Sequence, residues 1–142
     1  MSPDASQPQM VNERTWLWID PTTWQSLSAT ASAGAVSATA KATPVQVMWN
    51  LGDGDRLTCN GPGAPYDPSK NEGEQSTSCT YVWPRSSATE QGGMFTITAT
   101  IVWRVTWTAV GAPGGGSLGS VNSPPSQVSV QVTEGDAFNT SQ

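Results

Sequence analysis

The sequence predicts an all-β fold, an antiparallel β-sandwich of about seven or eight short strands. Three observations lead there. Apolar and polar side chains alternate with a period of two through most of the chain, the repeat of a strand with one face toward a core and the other toward water. Only 12% of the 142 residues are charged, and Thr, Ser, Ala and Val dominate, a mixture in which β-branched side chains favour strands over helices. Fourteen glycines and eleven prolines divide the alternation into segments of strand length.

Residues 1–13 read as a polar lead-in, and residues 14–134 as one domain, large enough to bury most of the apolar surface of a single core. Residues 135–142 read as a polar tail. An opening strand covers 15–19. Leu27, Ala29, Ala31 and Ala33 then alternate with Ser26, Ser28, Thr30 and Ser32, and Val36, Ala38 and Ala40 with Ser37, Thr39 and Lys41. Gly34, between the two sets, makes them a hairpin. Val45, Val47, Trp49 and Leu51 form the next strand, opposite Gln46, Met48 and Asn50. Gly52-Asp53-Gly54-Asp55 turns the chain into Leu57 and Cys59, because Asp-Gly supplies the positive-φ positions of a tight turn. Further strands fall at 79–83 and at 127–133, where Val128, Val130 and Val132 share a face.

The most regular run starts at Phe95. Its odd positions read Phe95, Ile97, Ala99, Ile101, Trp103, Val105, Trp107; its even positions read Thr96, Thr98, Thr100, Val102, Arg104, Thr106, Thr108. This predicts a long strand, with Trp49, Phe95, Ile97, Ile101 and Val130 in one core. Trp103 and Trp107 are expected there too, since they share the face of the aliphatic residues. Segments 60–78, 84–93 and 109–125 read as irregular, the last as a mobile hairpin loop around Gly114-Gly115-Gly116.

The two cysteines, Cys59 and Cys79, flank a Gly/Pro/Ser-rich stretch. In a weakly charged, β-rich chain such a pair reads as one local disulfide, and so as an oxidising compartment, extracellular or at the cell surface; two buried thiols in a cytosolic protein are the alternative. A net charge of −5 with six scattered basic residues argues against nucleic acid. No stretch approaches the roughly 18 apolar residues of a membrane helix, so no membrane insertion is expected. No Gly-rich loop ends in Gly-Lys-Ser/Thr, so no nucleotide is expected either.

Val47-Met48-Trp49-Asn50-Leu51-Gly52-Asp53-Gly54 resembles the signature of polycystic-kidney-disease (PKD) type domains, in which a strand carrying Trp enters a Gly-Asp-Gly turn. Tyr81, followed by Gly93 and the alternating strand from Phe95 to Ile101, is similar to a second part of that pattern, with longer insertions at 60–78 and 84–92. The chain is also similar to secreted proteins of filamentous Gram-positive bacteria. The resemblance implies an immunoglobulin-like sandwich serving as an extracellular spacer or interaction module. It assigns Trp49, Gly52, Asp53, Gly54 and Tyr81 to the family motif, and it implies no activity.

The chemistry open to the chain is narrow. There is no histidine, which removes His-based triads, general bases and metal sites, and no serine stands in a Gly-x-Ser-x-Gly elbow. Asp53 with Asp55, and Glu72 with Glu74, are the carboxylate pairs available for glycosidic chemistry, and each sits in a turn. Asp53, Asp55 and Asp67 are candidates for a loose calcium site; Ala64 stands where an EF-hand loop starting at Asp53 would need its glutamate. Seven tryptophans raise a carbohydrate-binding alternative in which exposed indoles stack on sugar rings. Trp16, Trp18, Trp24 and Trp83 are the expected contacts, being least tied to apolar neighbours. The expectation is therefore a non-catalytic structural or protein-interaction module without cofactor, partnered by protein or by a cell-surface polysaccharide.

Overall fold

The computed structural model describes residues 1–134; the expected tail over 135–142 lies outside the described residues. The strands are β1 (Gln9–Met10), β2 (Arg14–Trp16), β3 (Leu27–Ala33), β4 (Val36–Asn50), β5 (Arg56–Cys59), β6 (Thr80–Val82), β7 (Phe95–Val110), β8 (Gly115–Asn122), β9 (Ser126–Val130) and β10 (Val132–Thr133). The fold is all-β and forms a sandwich of the immunoglobulin-like kind.

Two long strands organise it. β4 and β7, 15 and 16 residues long, run antiparallel from Ser37 opposite Val110 to Asn50 opposite Thr98. Each is flanked twice. β3 and then β5 pair with the outer edge of β4, and β8 and then β9 pair with that of β7. The sheet therefore has an upper half, β3-β4-β7-β8, and a lower half, β5-β4-β7-β9. At the junction the pairing passes from Pro44 opposite Trp103 directly to Gln46 opposite Val102, a bulge that leaves Val45 unpaired beside a proline with no N–H to give.

A thin second layer covers one face of the lower half. It consists of the antiparallel pair β2-β6 and the parallel pair β1-β10. Leu17, Cys79, Trp83 and Val132 from this layer pack on Val47, Trp49, Leu51, Phe95, Ile97, Ala99 and Val130. The Trp83 ring stacks parallel on Phe95 at 5.4 Å between centroids, and its indole N–H donates to Thr15 Oγ1 at 2.9 Å. Thr15 in turn donates to Gln9 Oε1, and Gln9 Nε2 donates to the carbonyls of Pro3, Asp4 and Gln7, so these buried polar groups are paired, whereas the buried Trp49 Nε1 has no hydrogen-bond partner among the described residues.

That chain of hydrogen bonds shows what the composition of residues 1–13 concealed. The segment read as a polar lead-in is woven into the domain: Gln9 is fully buried, Met1, Ala5 and Val11 pack against the core, and Ser2 bridges Trp16. The segment read as a loop at 109–125 is also ordered. β7 continues to Val110 and β8 pairs with it, because main-chain hydrogen bonds are available to Gly and Ser as to any residue. Glycine even assists the packing, since a Cβ at Gly114 would stand 2.6 Å from the Trp107 ring.

Cys59 and Cys79 are bonded, with their Cα atoms 5.7 Å apart. The bridge differs from the local clip expected. Cys59 ends β5 in the large sheet and Cys79 precedes β6 in the thin layer, so the bond crosses the core and ties the two layers together.

Candidate functional site

The inner face of the large sheet carries the odd positions of β7. In the lower half these are Phe95, Ile97 and Ala99, all buried under the thin layer. Ile101, at the junction, is half-buried rather than in the core. Beyond it the same face continues as Trp103, Val105, Trp107 and Ala109, and there no layer lies above it among the described residues. Every residue of β3 and of β8 is exposed.

Register defines this upper face strand by strand, because directly paired residues point the same way. Trp103, Val105, Trp107 and Ala109 stand opposite Pro44, Ala42, Ala40 and Ala38 of β4. Ala42, Ala40 and Ala38 stand opposite Leu27, Ala29 and Ala31 of β3. On the other side Val121, Gly119 and Gly116 of β8 stand opposite Trp103, Val105 and Trp107. No polar side chain occurs in that set. Leu27 and Val121 are 63% and 55% exposed, and Trp103 and Trp107 half-buried. Their expected burial in the core is corrected accordingly: the indoles have the predicted parity but lie past the end of the covering layer.

The opposite face of the upper half is polar. Thr30 and Thr39 share a 2.8 Å hydroxyl hydrogen bond, and Ser26 and Thr43 one of 3.2 Å. Lys41 and Arg104 belong to this face by register with Thr106 and Thr43.

The tryptophans expected as ligand contacts are placed otherwise. Trp83 and Trp16 are interior, Trp83 stacked on Phe95 and Trp16 edge-on to Tyr66 at 5.1 Å, so neither offers an open ring face. Trp24 is half-buried against the core. Trp18, also half-buried, lines a cleft of about 180 Å³ with Trp49, Ile97 and Val128, below the several hundred Å³ usual for a small-molecule site. The signal that separates Trp107 from these four is the company it keeps across the sheet, Ala40 and Gly116, which are too small to cover an indole; Trp103, on the same face, stands between Pro44 and Val121.

The motif residues do converge, at the lower end. Gly52 has φ of 78°, and a Cβ on it would lie 2.4 Å from the Thr96 carbonyl oxygen, so the turn closes against β7 only with glycine. Asp53 Oδ1 accepts from the Asp55 N–H at 3.0 Å. The Tyr81 hydroxyl donates toward Asp53 Oδ2 and, at 2.8 Å, Asp55 Oδ2, and its single proton is shared between them. Burial first, and then these two hydrogen bonds, push the Tyr81 phenol well above its ordinary value near 10. Arg85 closes the cluster, donating to the Asp53 carbonyl at 3.3 Å, pairing with Glu90 and lying over the Phe95 ring. Asp67 does not join it. Its carboxylate is occupied by the hydroxyl and amide of Ser69, which hold it below the usual range. Among the described residues no three His, Cys, Asp or Glu side chains gather as a metal site requires. Glu72 and Glu74 belong to one exposed helical turn.

No family model, curated protein or solved structure matches this chain. No helix is long and apolar enough to cross a membrane among the described residues.

Proposed function

We propose that this chain is a non-catalytic interaction module of an extracellular or cell-surface protein, acting through the uncovered upper half of its large sheet. One observation carries the reading. The core-facing side of β4 and β7 runs on past the layer that covers it, so that contiguous Leu, Val, Ala and Trp side chains have no cover among the described residues. A continuous apolar patch of this kind is a hallmark of interaction surfaces, whereas scattered exposed apolar residues are ordinary. The PKD-type pattern around Trp49, Gly52 and Tyr81 supports the same class of role, and the disulfide is compatible with an exported protein. The absence of histidine removes His-based acid–base catalysis.

A photoactivatable residue placed in turn at Val105 and at Thr108 tests this in the exported protein. Val105 lies on the apolar face and Thr108 on the polar one. Discrete adducts from position 105 and none from 108 are expected. Adducts from neither would remove the interaction reading.

A carbohydrate partner is the second reading, favoured by Trp103 and Trp107 lying four residues apart on one strand, roughly 13 Å. Titration with soluble glycans would quench or shift tryptophan fluorescence if the indoles stack on sugar, and Trp107→Ala would remove the response.

A further inference from the structure

We propose that the occupant of the uncovered face is a second copy of this chain, the two upper sheets packing face to face as the missing halves of one sandwich. The proposal rests on the interaction reading above and names its partner.

Shape is the first argument. At the level of Val105 and Trp107 the side chains on the inner strands grade from small to large to small: Ala40 and Ala42 on β4, the Val105–Trp107 column on β7, then Gly116 and Gly119 on β8, with Leu27 and Ala29 on β3 at the outer edge. A twofold axis running along the strands, midway between two facing sheets, sets β7 of one copy over β4 of the other, and β3 over β8. The Trp103–Trp107 column then lies over the partner's Pro44, Ala42 and Ala40, while Leu27 and Ala29 lie over Gly119 and Gly116. Large on small is the interdigitation a packed interior needs. The contact is self-complementary and closes at two copies, as an isologous interface does.

Charge is the second. The stretches 27–50 and 101–122 contain no acidic residue, and their two cations, Lys41 and Arg104, belong to the polar face. All eleven acidic residues therefore lie elsewhere, and two copies meeting by their upper halves desolvate no ion.

Area is the third. Four strands about 4.8 Å apart and about eight residues long present a face of roughly 19 Å by 26 Å, or about 500 Å² per copy. Two such faces reach the lower bound of specific interfaces, about 1,000 Å² in total, which points to a reversible, concentration-dependent dimer. The face is also continuous with the interior of the domain, so its side chains already have the parity and spacing of a sandwich core.

Sedimentation velocity on the full chain over a wide concentration range tests the proposal. The expected result is a monomer–dimer equilibrium, with tryptophan emission shifting to the blue as the dimer forms. Val105→Lys, which sets a charge at the centre of the contact, should weaken dimerisation at least about tenfold. Thr108→Lys, on the opposite face, should leave it unchanged, and equal melting of both dilute variants would establish that each is folded. A wild type that stays monomeric at every concentration overturns the proposal. So does a dimer indifferent to Val105→Lys, as edge-to-edge pairing through β3 or β8 would be. If the purified chain is monomeric while position 105 still yields adducts to other molecules, self-association fails and the interaction reading survives.

Discussion

The lower and upper halves of β4 and β7 are built from the same alternation and meet different fates. Below the bulge at Val45, Trp49, Phe95 and Ile97 lie under a second layer and form the core; above it, Trp103, Val105 and Trp107 lie on the same face with no layer above them among the described residues. Parity decides which face a side chain joins. Whether that face is covered depends on where other segments end, and the thin layer is only two or three residues long in each of its strands. A period-two pattern thus records an apolar face equally well whether its cover comes from the same chain or from outside it.

The sharpest way to break this comparison is to truncate one large aromatic in each half. Trp83→Ala removes a fully buried ring, its stacking on Phe95 and the hydrogen bond to Thr15. It should cost about 3–5 kcal/mol in denaturant unfolding. Trp107→Ala, measured on dilute protein, should cost less than about 1 kcal/mol, in line with surface substitutions. Equal losses would mean that the upper half is covered after all.

The disulfide separates the halves in another way, since it joins the two layers of the lower half. Reduction should destabilise the domain by roughly 3 kcal/mol, the loop-closure value for a ring of this size, read as a drop in denaturant midpoint with reductant. An unchanged midpoint, with mass spectrometry confirming two free thiols, would show that packing alone holds the layers.

Much of the core and of the strand pattern was legible in the sequence. The alternation placed Trp49, Phe95, Ile97 and Val130 in one core, and Gly34 marked the β3-β4 turn, because these signals are local. What stayed hidden depends on long-range pairing. Gln9 is buried only because Thr15 and three carbonyls satisfy its amide, and β8 is a strand only because β7 offers it a free edge. The candidate surface was the least legible of all. Trp16 and Trp83 looked unconstrained because neither stands in a long apolar alternation, yet they are interior through partners distant in sequence, while Trp103 and Trp107 looked interior through neighbours that share their exposure.

Two glycines sharpen the contrast at smaller amplitude. Gly52 and Gly34 both have positive φ, but a methyl group on Gly52 would meet the Thr96 carbonyl oxygen at 2.4 Å, whereas one on Gly34 would meet nothing within 4 Å. Gly34→Ala should therefore carry only the backbone penalty, about 1 kcal/mol, and Gly52→Ala more than about 2 kcal/mol. Thermal melts of the two variants check the ordering. A reversed order would detach the Gly-Asp-Gly turn from β7.

The smallest effect expected is one of pH, and it too belongs to the lower half alone, since the upper half holds no carboxylate. Tyr81 sits edge-on to Trp83 at 5.0 Å and donates its proton to Asp53 and Asp55, and its folded pKa is raised by burial and by those hydrogen bonds. A raised pKa means that the folded state holds the proton more tightly than the unfolded one. The stabilisation is therefore complete below the ordinary phenol value near 10 and is lost as pH climbs above it toward the folded value. Tyr81→Phe should be less stable than the wild type by about 1 kcal/mol near neutrality, the scale of a partly exposed hydrogen bond to a charged group. The gap should close as pH rises past about 10, because the wild type then loses the same bond or must hold a phenolate beside two carboxylates. Every other titrating group is common to the two proteins, so its contribution cancels in the difference. Denaturant midpoints of the pair, compared from about pH 8 to about pH 11, decide the matter. A gap that stays constant across that range would show that the Tyr81 hydroxyl is not donating to the turn.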